Sequence, residues 1–250
     1  MIWPLALLRR TPVVWHVFLS LHHTLVDDRE ILGPRHPMAR LLFAGEWLAF
    51  RIPRWLLMDT NAHRALLTER FGLSRERIGR VFVGFEDKVF PPPAPVGARP
   101  DGAPYRVLFY GQFIPFHGLD TIVEAARICG EEDILWRVIG KGQETERFRG
   151  LLDAAGPVPR VTWTPWVPYD RLASEIRNAD VCLGVFGARD KTSRVIPNKV
   201  FQVLAAGRAL ITADTPAIRR QTSPEVLPHR SSGSGPNRLG GTAATLANSP

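Results

Sequence analysis

The chain predicts an α/β fold built on parallel sheet, and three observations carry that expectation. From Arg106 onward, short apolar runs begin near Arg106, Leu135, Val161, Val181 and Ala209, with helical periodicity between them. Such alternation argues for a right-handed βαβ series in an open sheet, with its ligand at the carboxyl ends of the strands. Residues 91–104, PPPAPVGARPDGAP, are too rich in Pro and Gly for regular structure and read as a linker between a segment 1–90 and a segment 105–220. With 250 residues, 45% hydrophobic and 22% charged, the chain is globular and long enough for one large or two small domains.

In chain order, residues 11–19, TPVVWHVFL, read as a strand, with His16, His22 and His23 on or after it. Histidines beside a loop invite a reading as catalytic bases, but no partner carboxylate is fixed by the sequence, and a structural role is the preferred reading. Arg40 to Met58 mixes Arg40, Arg51 and Arg54 with Trp47, Trp55 and many Leu. Two readings stand: a membrane-surface element with arginines at headgroups, or a core helix to about Phe50 followed by a strand over 54–59, and the core reading is preferred. Thr60 or Asn61 caps the next helix, which stops at Gly72, and 80–83 reads as a further strand.

Beyond the linker, Gly111 follows the first strand and lets backbone approach a phosphate, while Gly118 opens a helix whose Leu119, Ile122, Val123 and Ala126 face inward. The stretch from Val181 to Asp214 organises the rest. Val181 to Phe186 suits a buried strand, and a polar loop with Arg189, Lys191 and Arg194 leads to a helix started by Pro197 and Asn198 and stopped by Gly207. Val200, Val203 and Leu204 form its apolar stripe, and Asn198, Lys199 and Gln202 gather polar groups near its start. Strand, basic loop and helix start together make an anion site, because free N–H groups and the positive end of the helix dipole face the loop. Each charge-assisted hydrogen bond there contributes about 1.5 to 3 kcal/mol. An ordinary solvated loop remains the alternative.

These residues also carry a resemblance. RVIPNKVFQVLAAGRALITAD resembles the donor-sugar signature of the GT-B glycosyltransferases of family 4, the glycosyl transferases group 1 superfamily, in a branch reading I-P-N-K-V-[FY]-E-x-L-A-x-G-[KR]-P-V-I-T. Gln202 stands where that family usually has the Glu that holds the nucleotide ribose, and Arg194 falls near the earlier Glu of its E-x7-E pair. YRVLFYGQFIPFHGLDTIVEAA is similar to the family's first strand and helix of the donor domain, with Gln112 and His117 where many relatives use Arg and Lys. IGKGQE and WTPWVP resemble its I-G-x-G and F-x-G-x-V-P segments beside the nucleotide, which makes Trp166 a stacking or a packing residue. Ser20, Leu21, Thr24, Asp28 and Arg29 keep the pattern that follows its mid-domain strand, and Gly84, Phe90 and Pro91 keep the end of its N-terminal domain.

The resemblance implies a GT-B-like α/β fold of two Rossmann-like domains. The N-terminal, acceptor-side one, 1–90, is expected to be incomplete, since only about three strands precede the linker where such a sheet has about six. It implies transfer of a sugar from a nucleotide-diphospho-sugar donor to a carbohydrate or lipid-linked acceptor hydroxyl, with retention of configuration, in cell-surface polysaccharide or glycoconjugate synthesis. Donor-binding residues are expected at Gly111, Gln112, His117, Gly118, Lys191, Arg194, Asn198, Lys199 and Gln202. The nucleotide-sugar is a substrate, no further cofactor is expected, and no spacing suggests a metal. A non-catalytic nucleotide-sugar-binding remnant and a GT-B-fold sugar-nucleotide epimerase are the competing readings.

Composition narrows the partners. The formal charge of +8 is spread along the chain with no zinc-finger, RRM or KH signature, so small anions or an anionic membrane surface fit better than nucleic acid. Two cysteines, Cys129 and Cys182, read as buried small hydrophobes and make no disulfide framework. MIWPLALLRR has its arginines after its apolar run, the reverse of a leader peptide, and no stretch approaches about 20 apolar residues. A cytoplasmic protein, with peripheral contact at the inner membrane face as the alternative for Arg40 to Met58, is the expectation. Residues 221–250 are Ser, Gly, Pro and Thr-rich without aromatics and read as a disordered tail, consistent with a chain cut short or frameshifted there.

Overall fold

A computed structural model describes residues 6, 8–90, 100–156, 160–187 and 193–222. Residues 91–99 of the expected linker, Lys191, and positions 223–250 of the expected tail lie outside the described residues. The described chain forms two compact units: residues up to Val83 with Ser193–Ile196, and residues from Gly84 with those from Pro197 onward. The division falls ahead of the boundary read at residue 90.

The first unit holds a three-stranded parallel sheet, β1 (Val14–His16), β2 (Trp55–Met58) and β3 (Ile78–Arg80), in that order. Leu56 of β2 pairs with Ile78, both fully buried, so β3 ends at Arg80 and the strand expected over 80–83 is displaced toward the residue that fills the core. Helix α1 (Pro37–Ala49) starts on Pro37 behind His36, whose Nδ1 accepts from the Met38 N–H at 3.1 Å. Helix α2 (Asn61–Phe71) is capped at both ends as the sequence predicts. Thr60 Oγ1 accepts from the His63 N–H at 3.1 Å, and Gly72 takes the left-handed conformation at φ 63°. Val17, Phe50, Leu56, Met58, Leu67, Phe71 and Ile78 make the core, with the Phe50 and Phe71 rings edge to face at 4.9 Å.

Helix α1 departs from the core helix expected there. It buries only Ala39, and Phe43 packs partly against the core, while Met38, Leu41, Trp47 and Leu48 face outward. Glu46 occupies the inward arc, where it accepts from the Ser20 hydroxyl and from the Leu21 and His22 N–H groups.

The second unit is a five-stranded, all-parallel sheet of β4 (Tyr105–Tyr110), β5 (Ile134–Ile139), β6 (Val161–Thr164), β7 (Val181–Leu183) and β8 (Ala209–Ile211). All five fall where the apolar runs predict. Their spatial order is β6-β5-β4-β7-β8, so the chain steps outward from β4 twice and then returns to its other side, the strand order of a Rossmann-like half. Helices α3 (Leu119–Ile128), α4 (Thr145–Ala154), α5 (Tyr169–Asn178), α6 (Asn198–Ala205) and α7 (Pro216–Thr222) complete it. Helix α3 buries the predicted Leu119, Ile122, Val123 and Ala126. Helix α7 runs past the boundary drawn at Arg220.

Three details differ from expectation. Strand β7 stops at Leu183, short of Phe186, because Gly184 lies hard against Thr212 and the Val185 N–H turns to Thr212 Oγ1 at 3.1 Å. In α6 Val200 and Val203 are buried as predicted, but Leu204 is 55% exposed, and Lys199 and Gln202 take inward places in its stead. Cys182 is buried, whereas Cys129 at the end of α3 is only partly so.

Candidate functional site

The order reversal between β4 and β7 opens the second unit at its carboxyl edge, and glycines let the loops there close on one another. Gly118 has φ 63°, and a Cβ on it would lie 2.7 Å from the Phe186 carbonyl carbon. A Cβ on Gly187 would lie 2.5 Å from the Pro115 carbonyl oxygen, and the Phe186 N–H donates to the His117 carbonyl at 3.2 Å. The two glycines of the I-G-K-G turn serve the same packing. Gly140 is pressed on the Gly111 carbonyl oxygen, and a Cβ on Gly142 would lie 2.7 Å from that of Phe113. Trp163 locks this layer by donating from Nε1 to the Gly140 carbonyl at 2.9 Å and stacking on Phe113. Trp166 instead stands largely in solvent.

Lys199 points into this crevice from the first turn of α6. It is only 5% exposed, and its Nζ donates to the Gly184 carbonyl at 3.2 Å and sits 4.1 Å above the Phe109 ring. It forms no ion pair among the described residues. Burial lowers its pKa to about 7. A Cβ on Gly111 would meet Lys199 Nζ and His117 Nε2, each at 3.2 Å, so both nitrogens converge on one bare Cα.

His117 donates from Nδ1 to the Gln112 carbonyl, which leaves Nε2 as an acceptor with no hydrogen-bond partner among the described residues. Burial, followed by the Lys199 charge, pulls its pKa down to about 3, so the imidazole is neutral. Gln112 therefore acts here through its backbone, its side chain being exposed. Asn198 is exposed at the start of α6. Gln202, 9% exposed, is held from both sides: its Oε1 accepts from the Tyr110 hydroxyl at 3.0 Å, and its Nε2 donates to the Tyr169 hydroxyl at 3.4 Å. Burial drives the Tyr110 phenol well above its ordinary range, so it stays a donor.

Of the predicted donor residues, Gly111, Gln112, His117, Gly118, Asn198, Lys199 and Gln202 thus gather at one sheet edge. Arg194 belongs to the first unit. There its carbonyl accepts from Thr60 Oγ1 at 2.6 Å and its Nη1 lies 3.3 Å from His23 Nε2. His22 Nδ1 lies 3.1 Å from Arg70 Nη2, and Arg70 also pairs with Asp27 at 2.9 Å. Burial and then the Arg70 charge lower the His22 pKa, which suits an acceptor Nδ1. Glu46 accepts from the Ser20 hydroxyl at 2.6 Å and the Leu21 N–H at 2.5 Å, at the entrance to the π-helical turn His23–Asp28. His16 is exposed at the end of β1. Among the described residues no group of three or more His, Cys, Asp and Glu side chains is placed to hold a metal.

A parallel sheet with its order reversed at β4, a glycine-lined crevice and a buried ammonium at a helix start define a Rossmann-like domain suited to a phosphorylated ligand. Residues 104–231, just over half of the chain, match the family described as glycosyl transferases group 1, and the chain belongs to that family. Over 109 residues it is 28% identical to WcaI of Escherichia coli (strain K12), named as a candidate colanic acid biosynthesis glycosyl transferase, covering 43% of this chain and 26% of that one. HepE of Anabaena, solved with UDP and glucose, superposes with a TM-score of 0.64 at 13% identity, over 87% of this chain and 57% of HepE. A sucrose-phosphate synthase of Thermosynechococcus elongatus gives 0.65 at 18%, over 89% of this chain and 56% of that one. These superpositions show a GT-B-like fold. The chain spans about a quarter of the curated relative and under three fifths of the solved ones.

Proposed function

We propose that this chain carries the donor-binding side of a glycosyltransferase, which moves a sugar from a nucleotide-diphospho-sugar to an acceptor hydroxyl in the synthesis of cell-surface polysaccharide or glycoconjugate. The observation that supports it is Lys199, a buried ammonium with one carbonyl partner and no ion pair among the described residues, facing Gly111. A buried charge without a counterion is costly, and a diphosphate would supply the counterion. The free N–H groups at the start of α6 and the Asn198 side chain would add donors. As the glycosidic bond breaks, negative charge grows on the leaving diphosphate, and a fixed ammonium stabilises that state more than the ground state. His117, neutral and with Nε2 unbonded among the described residues, suits a sugar hydroxyl rather than a phosphate. The reading requires no metal or further cofactor.

Calorimetric titration with UDP, GDP and ADP, and with their sugar conjugates, tests it. One of them should bind, and Lys199→Ala should weaken binding about a hundredfold, the worth of a charge-assisted bond in a dry site. No binding by any of them, or an Ala variant that binds as well, would overturn the reading. Following free nucleotide release in parallel distinguishes a transferase from a binding module.

The outward face of α1 supports contact with a membrane carrying a lipid-linked acceptor. Met38, Leu41, Trp47 and Leu48 are exposed beside Arg40, with Arg35 and Arg54 exposed nearby. Apolar side chains with arginines at their margin suit an anionic lipid surface. The protein should sediment with phosphatidylglycerol vesicles and not with phosphatidylcholine ones, and Leu41→Glu should release it. Equal partition to both would refute the contact. Among the described residues no helix is long and apolar enough to cross a membrane.

A further inference from the structure

We infer that the nucleotide's ribose is met by the hydroxyl of Tyr169, and that Gln202 acts behind it as a positioning residue. The inference rests on the donor-site reading and concerns which group of that site faces the ligand.

The hydrogen bonds around Gln202 run in one direction. Tyr110, buried at the end of β4, donates to Gln202 Oε1 at 3.0 Å, and Gln202 Nε2 donates to the Tyr169 oxygen at 3.4 Å. The amide is thereby engaged at both its polar ends, and at 9% exposure little of it faces outward. Tyr169 ends the chain of bonds. It receives a hydrogen bond, and its own O–H proton has no acceptor among the described residues. Its ring is 44% exposed and stands edge to face with the buried Phe90 at 5.9 Å, so the phenol is braced and half open.

What remains at the outer end of this relay is one donor proton and one lone pair. A ligand hydroxyl, which both gives and takes a hydrogen bond, satisfies both. A diphosphate, an acceptor only, satisfies one and is better met by Lys199. Because Gln202 lies one helical turn beyond Lys199 on α6, a hydroxyl-bearing sugar adjoining a diphosphate is the part of a nucleotide that suits Tyr169. An amide behind the phenol also fixes the proton's direction. Its N–H cannot accept, so the Tyr169 O–H must point away from Gln202.

Gln202→Glu replaces the N–H by a carboxylate oxygen, which turns the Tyr169 proton inward and away from the ligand. Wild type, Tyr169→Phe and Gln202→Glu would be titrated with whichever of UDP, GDP and ADP binds, and with its 2′-deoxy and 3′-deoxy forms. Tyr169→Phe should weaken the ribonucleotide about three- to tenfold, the value of one neutral hydrogen bond, and should bind one deoxy form no worse than wild type does. Gln202→Glu should also weaken the ribonucleotide. Tighter binding by Gln202→Glu, or equal losses on deoxygenation with and without the Tyr169 hydroxyl, overturns the inference while leaving the donor site standing. Failure of the wild type to bind any of the three overturns both. Only the coupling between the phenol and one ribose hydroxyl separates recognition from a change in packing.

Discussion

Both units place histidines beside cations, and they do so with opposite results. In the first unit Arg70 is answered by Asp27 and by His22, Arg194 has His23, and Arg51 donates to the Trp47 and Phe71 carbonyls and lies 3.6 Å over the Trp47 ring. In the second unit Lys199 has one carbonyl and the face of the Phe109 ring but no ion pair among the described residues, and His117 Nε2 has no hydrogen-bond partner among them, both turned on Gly111. The difference teaches that the number of charges around a loop says little about ligands. A charge held in a dry place without a counterion says much more.

The contrast predicts opposite outcomes for two substitutions. Lys199→Met should cost about a hundredfold in donor affinity while leaving the melting temperature unchanged or raising it, since it removes a buried, unpaired charge. A variant that lost stability and affinity together would break the contrast. The next largest effect is on pH. Lys199 titrates at about 7 in the folded chain against an ordinary 10.5, so between those values the unfolded chain holds a proton that the folded one lacks. Stability therefore rises with pH across that window. Donor affinity should do the reverse, staying level below pH 7, falling by about tenfold per unit above it and levelling off at about the hundredfold loss expected of Lys199→Met, as titrations in matched buffers would show. His117, held near 3 against 6.5, is neutral throughout and erodes stability only as pH falls from 6.5 toward 3.

Smaller effects sharpen the comparison. Gly111→Ala would place a methyl 3.1 Å from His117 Cε1 and 3.2 Å from Lys199 Nζ, and should weaken donor binding about tenfold by moving both nitrogens. Arg70→Met in the first unit should lower stability by about 1 kcal/mol or less, its pair with Asp27 being partly exposed, and leave donor affinity untouched in the same titration.

Much of the fold was legible because the signals were local. The five apolar runs of the second unit, the Thr60 and Gly72 caps and the inward face of α3 depend on neighbours a few residues away. The misreadings have a common cause. Periodicity assumes that the inward face of a helix is apolar, yet α6 turns Lys199 and Gln202 inward and Leu204 outward, and α1 turns Glu46 inward and Leu41 outward. A helix that serves a crevice has two inward demands, packing and polarity, and pattern alone resolves only the first. Tyr110 and Tyr169 left no sequence signal beyond their positions at a strand end and a helix start. Their partner Gln202 lies 92 and 33 residues away, a distance that only the fold closes.

Cys182 makes the central sheet accessible to kinetics. It lies in the middle of β7 between β4 and β8, fully buried, and burial pushes its thiol pKa up to about 12. The other cysteine, Cys129, is partly open at the end of α3. An alkylating reagent should therefore mark Cys129 promptly, whereas marking of Cys182 waits until β7 leaves the sheet. The second alkylation is a clock for the opening of the second unit, readable by mass in the unaltered chain, and on the proposed function a bound nucleotide that ties the β4 and β7 loops together would slow it.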